Sequence, residues 1–136
     1  MKKELASNFL DIIPIMEYDF TMWEVEYTDE FGKWWDTLTL EEQGAVTTTV
    51  TALESAGPSL PFPYCSSVQT SKHKQMRELR SQCSGRPIRT FYAFDTKRAA
   101  ILLIGGDKTG NDRFYEEYVP VADRIFEDYL NEMDKE

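Results

Sequence analysis

Between residues 75 and 105 the chain offers three strand-like segments in quick succession, 75–80, 88–95 and 98–105, divided only by Ser84-Gly85-Arg86-Pro87 and Asp95-Thr96-Lys97. Separations this short favour antiparallel hairpins, because a parallel crossover needs about a dozen residues or more. Leu102, Leu103 and Ile104 form a near-continuous apolar run, the pattern of the most buried strand, and Gly105-Gly106 is expected to release the chain into a tight turn.

The sequence before this meander adds a strand and two helices. Trp23-Glu24-Val25-Glu26-Tyr27 alternates apolar and acidic residues and reads as a half-buried strand with Trp23, Val25 and Tyr27 inward. In 29–38, Phe31, Trp34, Trp35 and Leu38 recur at helical spacing, an aromatic stripe that reads as core packing. Thr39-Leu40-Glu41-Glu42 fits a capping box, and a second helix runs from there to about Ala56, where Gly57-Pro58 ends it; the two helices are expected to form an antiparallel hairpin.

Pro58, Pro61 and Pro63 make 57–71 an irregular connection in which no backbone ladder is expected. A last helix spans about 113–133, with Pro120 either kinking it or marking its true start. Residues 1–21 read either as one short helix followed by an extended arm or as sequence ahead of a start at Met22.

The 136 residues suit one domain, taken as 22–136 with 1–21 as an extension of uncertain role. No apolar run approaches the roughly 20 residues of a membrane span, and Asp11, Pro14 and Glu17 interrupt any signal-peptide core, so a cytoplasmic protein is expected. Cys65 and Cys83 lack CxxC spacing, which argues for reduced thiols; no metal and no cofactor is expected.

A net charge of −9 argues at first against an anionic ligand, but the charge is unevenly placed. Residues 72–113 hold ten basic and four acidic residues, a net +6, which leaves −15 for the rest of the chain. Such asymmetry suggests one basic surface facing an anionic partner. Strand alternation puts Met76, Glu78 and Arg80 on one face, with Arg77 and Leu79 on the other. It likewise puts Arg89, Phe91 and Ala93 on one face, and Thr90, Tyr92 and Phe94 on the other. If Arg80 and Arg89 converge, they form a permanently charged clamp for a phosphate, which Lys108 at the end of the last strand can help neutralise. The plainer reading of each arginine is a solvated strand charge.

Three stretches together carry a resemblance: Met76-Arg77-Glu78-Leu79-Arg80, then Gly85-Arg86-Pro87-Ile88-Arg89-Thr90-Phe91-Tyr92-Ala93-Phe94, then Leu102-Leu103-Ile104-Gly105-Gly106-Asp107-Lys108. In this order and spacing the chain, from Trp23 to about Leu130, resembles the RelE/HigB toxins of type II toxin–antitoxin systems, especially their phage-derived branch. The resemblance implies an α+β, RelE-like fold: an N-terminal strand and a helical hairpin packed on a twisted antiparallel sheet, with a C-terminal helix. It further implies an endoribonuclease that cleaves mRNA, often on the ribosome, and is silenced by a cognate antitoxin, here expected to be of helix-turn-helix type.

RNA cleavage by attack of the ribose 2′-OH needs a base, a stabilised phosphorane and an acid for the 5′-oxygen. Arg80 and Arg89 are the candidates for holding the phosphate, Lys108 for electrostatic stabilisation or proton donation, and Glu78 for the base. Tyr92 or Phe91 is a candidate for stacking on a base or supporting the catalytic site, with Tyr92 counted among the catalytic candidates, and His73, Lys74, Arg77 and Arg86 are further candidate RNA contacts. Two other readings stay open: a ParE-like toxin acting on DNA gyrase without cleaving RNA, and a harmless module that pairs with a helix-turn-helix regulator.

Overall fold

The computed structural model describes residues 3–4 and 22–135. Its strands are β1 (Lys3–Glu4), β2 (Glu24–Tyr27), β3 (Cys65–Ser67), β4 (Arg77–Cys83), β5 (Arg86–Phe94) and β6 (Ala99–Asp107), and its helices are α1 (Asp29–Asp36), α2 (Leu40–Ala56) and α3 (Phe114–Asp134). The strands form one sheet in the order β1-β2-β6-β5-β4-β3. All neighbours are antiparallel except β2, which runs parallel to β6. This is the α+β, RelE-like arrangement implied by the sequence, with a mixed sheet. The arm or helix read into 1–21 lies outside the described residues, apart from the two that pair as β1.

Each sheet face has its own core. On one face α1 and α2 bury Phe31, Val46, Val50 and Leu53 against Val25, Leu79, Ile88, Tyr92 and Leu102. On the other, α3 buries Phe114, Val119, Ala122, Ile125 and Phe126 against Met76, Phe91, Ala93, Ile101 and Leu103. The near-continuous apolar run in β6 follows from this, since a strand covered on both faces has no solvent side to make polar.

The helix starts are built from side chains that replace missing backbone partners. Thr39 Oγ1 accepts from Glu42 N at 3.1 Å while Glu42 Oε1 accepts from Thr39 N at 2.8 Å, the reciprocal pair expected from the sequence. Thr28 Oγ1 caps α1 by accepting from Phe31 N. Helix α3 runs unbroken through Pro120, whose ring sits in the second turn and not at the helix start.

Two expectations are corrected. Segment 57–71 is not wholly irregular: Cys65, Ser66 and Ser67 pair with Leu79, Glu78 and Arg77 and add the outer strand of the sheet, because the prolines stop at Pro63. Gly105 and Gly106 do not form a turn. They lie inside β6, opposite Thr90 and Arg89, and are required because aromatic rings lie against them from both sides. A Cβ on Gly105 would come within 2.3 Å of the Trp34 ring of α1, and one on Gly106 within 2.6 Å of the Tyr118 ring of α3. The turn between β4 and β5 is Ser84-Gly85, both at positive φ (52° and 78°), so the strands extend three residues past Arg80 and begin two before Ile88.

Candidate functional site

The β4–β5 register sets Arg80 directly opposite Arg89 and Glu78 opposite Phe91. All four side chains share the α3 face: alternation within each strand groups Glu78 with Arg80 and Arg89 with Phe91, and the register joins the two pairs. Glu78 is 4% exposed and is held from three sides. Tyr115, from the first turn of α3, donates its phenol to Oε1 at 2.8 Å and to Oε2 at 3.1 Å, and Ser66 of the outer strand donates to Oε2 at 2.9 Å. The Arg89 Nε lies 3.7 Å from Oε1, an ion pair without a hydrogen bond. Partners of this kind offset the cost of burying a charged carboxylate.

Arg89 is itself 3% exposed, and its Nη1 donates to the Ile88 carbonyl at 3.2 Å. It is therefore packed behind Glu78 and not presented to the surface. Arg80 is half-buried, with its guanidinium carbon 5.1 Å from the centroid of the Phe62 ring. Lys108, which follows β6 and donates its backbone N–H to the Pro87 carbonyl, holds its ammonium 5.1 Å from the centroid of the Tyr115 ring. Burial and the Glu78 carboxylate push the Tyr115 hydroxyl above its ordinary pKa, partly offset by the Arg89 guanidinium.

Glu78 and Tyr115 also line a cavity of about 250 Å³ with Ser67, Val68, Gln69 and Thr70. Thr70 and Tyr115 are shared with a second cavity of about 450 Å³ that runs along α3 past Lys72, Val119, Asp123 and Arg124. Glu78 is thus part of the wall of the smaller cavity.

Four of the residues singled out from the sequence therefore gather here: Glu78, Arg80, Arg89 and Lys108. Tyr92 does not. It is fully buried on the opposite face, where it packs under α1 and α2 and where burial pushes its hydroxyl far above the ordinary value. Phe91 is on the site's face but fully buried, stacked with Phe114 and Tyr118, so it offers no ring to a base. Arg77 points with Leu79 to the α2 face, where its Nη2 donates to the Cys65 sulfur at 3.4 Å. Arg86 bridges Glu42 and Asp107, at 2.8 Å each, and so ties α2 to the end of β6. His73 packs its ring edge-on against Phe126 and pairs with Glu127 at 3.0 Å, docking its loop on α3 together with Ser71 and Asp123. Lys74 is exposed.

Tyr115 was not visible as a site residue in the sequence, where it reads as one more apolar position of α3. The signal was present: at the helix start it precedes the main apolar stripe, and a tyrosine there can turn its hydroxyl toward the sheet. Among the described residues no three of His, Cys, Asp and Glu come together in a group that could hold a metal ion, and no helix is long and apolar enough to cross a membrane.

Comparison with known proteins adds relatives. A family described as "Phage derived protein Gp49-like (DUF891)" matches residues 33–127, which takes in every site residue. A protein of Mycobacterium tuberculosis (strain ATCC 25618 / H37Rv) named "Putative toxin HigB3" is 40% identical over 99 residues, 72% of this chain and 85% of that protein. A second from the same organism, named "Putative toxin HigB2", is 36% identical over 104 residues, 75% of this chain and 52% of that protein, so the chain spans about half its length.

Proposed function

The chain belongs to the Gp49-like family of phage-derived proteins, and from this we infer that it is the toxin of a toxin–antitoxin pair, an endoribonuclease acting on mRNA. The observation that supports the chemistry is the Glu78 carboxylate, oriented by Tyr115 and Ser66 on the wall of a cavity, with Lys108 against the Tyr115 ring and Arg80 two residues along the same strand face.

Glu78 takes the proton of the ribose 2′-OH, whose oxygen attacks the neighbouring phosphorus. Arg80 and Lys108 stabilise the charge that develops on the phosphorane oxygens. As the bond from phosphorus to the 5′-oxygen breaks, Lys108 gives that oxygen a proton, leaving a 2′,3′-cyclic phosphate and a free 5′-hydroxyl. Arg89 and Tyr115 act through Glu78: the buried guanidinium offsets its charge and the phenol fixes its orientation. The protein works in the cytoplasm, on mRNA at the ribosome, and is silenced by an antitoxin of helix-turn-helix type that covers the basic surface.

The test is expression without the antitoxin. Growth arrest with cleaved mRNA is expected, and Glu78→Gln or Arg80→Ala should abolish both. Cleavage that survives both substitutions would sink the assigned site. Arrest with intact mRNA and stalled gyrase would assign the ParE-like activity, and harmless expression a binding module.

A further inference from the structure

We propose that Phe62 and Tyr64, flanking Arg80, form a stacking platform for a nucleobase of single-stranded RNA next to the scissile phosphate. This rests on the reading of the chain as an RNA-cleaving toxin and adds the substrate contact that Phe91 and Tyr92, both buried, cannot make.

Among the described residues three large apolar side chains are strongly exposed, and two of them are here: Phe62 at 69% and Tyr64 at 50%. The Phe62 ring is held by the Arg80 guanidinium, which leaves most of the ring open to solvent. Both aromatics are held by backbone. The Tyr64 carbonyl accepts from Arg80 N at 2.9 Å, Tyr64 N donates to the Pro61 carbonyl at 3.0 Å, and Pro61 and Pro63 restrict φ on either side of Phe62. A surface ordered in advance loses little freedom on binding.

The place and charge favour RNA as the occupant. Arg80 stands two residues from Glu78 on the same strand face, about 7 Å along the sheet, so a base on Phe62 belongs to a nucleotide adjoining the one attacked. Among the described residues no carboxylate pairs with Arg80, which leaves its charge for a phosphate. Stacking on an aromatic ring backed by a guanidinium suits any base, because every base has a π face.

The test uses a short single-stranded RNA of 2′-O-methyl nucleotides, which blocks 2′-OH attack, carrying one 2-aminopurine whose fluorescence falls on stacking. The wild-type chain should bind and quench it. Phe62→Ala should weaken binding about tenfold or more and lose the quench, Tyr64→Ala should weaken it less, and Phe62→Trp should keep both. Because Phe62 is at the surface, Phe62→Ala should melt at the wild-type temperature. Equal affinity and quenching in Phe62→Ala, or no binding by the wild type, overturns the platform. So does a Phe62→Ala chain that binds RNA normally and loses only a protein partner. Cellular mRNA separates this from the broader reading: unchanged cleavage by Phe62→Ala removes the platform alone, whereas quenching without any cleavage in wild-type cells removes the nuclease and keeps the platform.

Discussion

Tyr115 donates one hydroxyl to both carboxylate oxygens of Glu78, at 2.8 and 3.1 Å, and so fixes the orientation of this buried carboxylate on the α3 face of β4. Removing the hydroxyl in Tyr115→Phe leaves the ring and its packing. The folded state should lose about 1–3 kcal/mol, while RNA cleavage should fall in kcat by about tenfold or more with KM little changed, because substrate contacts persist. A raised KM with kcat unchanged would instead mark a role in substrate binding.

The same pair predicts an effect in the other direction. Glu78 contributes to raising the Tyr115 hydroxyl pKa, so Glu78→Gln, which keeps the shape and removes the charge, should bring it back toward 10. Tyrosine ring carbons labelled for NMR would follow that titration. A Tyr115 that titrates unchanged in Glu78→Gln would mean that burial alone sets it.

The two glycines of β6 predict a steric coupling. Gly106→Ala would place a methyl 2.6 Å from the Tyr118 ring, which is itself stacked on Phe114 at 4.4 Å between centroids. A loss of about 1–3 kcal/mol in urea unfolding is expected from such overpacking. In a Tyr118→Ala background the same change should cost much less. Additive losses in the double variant would show that the ring is not the obstacle.

How far the molecule was legible from its residues varies with the range of the interaction. The Thr39–Glu42 box and the shared face of Glu78 and Arg80 depend on local geometry, three residues apart in a helix or two in a strand, and both were readable, whereas the convergence of Arg89 on that face depends on the register between strands and stayed conditional. The pairing of Cys65–Ser67 with β4 was not, because nothing local distinguishes a three-residue outer strand from a loop. Gly105 and Gly106 were read as a turn because glycine permits one, but their reason is the approach of Trp34 and Tyr118 from distant helices. Alternation correctly put Tyr92 on the opposite face from Arg89, yet it could not reveal that this face is closed by α2. Arg86 read as a free cation because its partners, Glu42 and Asp107, lie 44 and 21 residues away.

Arg86 predicts an absence of effect on RNA. Its guanidinium is shared by two carboxylates, so Arg86→Gln should lower Tm slightly, less at high salt, and leave RNA affinity unchanged. A fall in affinity with an altered salt slope would return Arg86 to the set of phosphate contacts.

Glu54, on the α2 face of the sheet, predicts how stability depends on pH. It is fully buried, neither carboxylate oxygen has a hydrogen-bond partner, and burial raises its pKa from 4.5 to about 7. A carboxyl raised on folding binds its proton more tightly in the folded chain than in the unfolded one. Its cost is therefore absent below about pH 4.5, grows as pH rises toward 7, and is complete above it. Between pH 5 and 8 the wild type should lose about 2 kcal/mol through this group. Glu54→Gln, which cannot ionise, should remove that loss and be the more stable chain at pH 8. Parallel pH profiles for the two chains in urea unfolding would mean that Glu54 reaches water when charged.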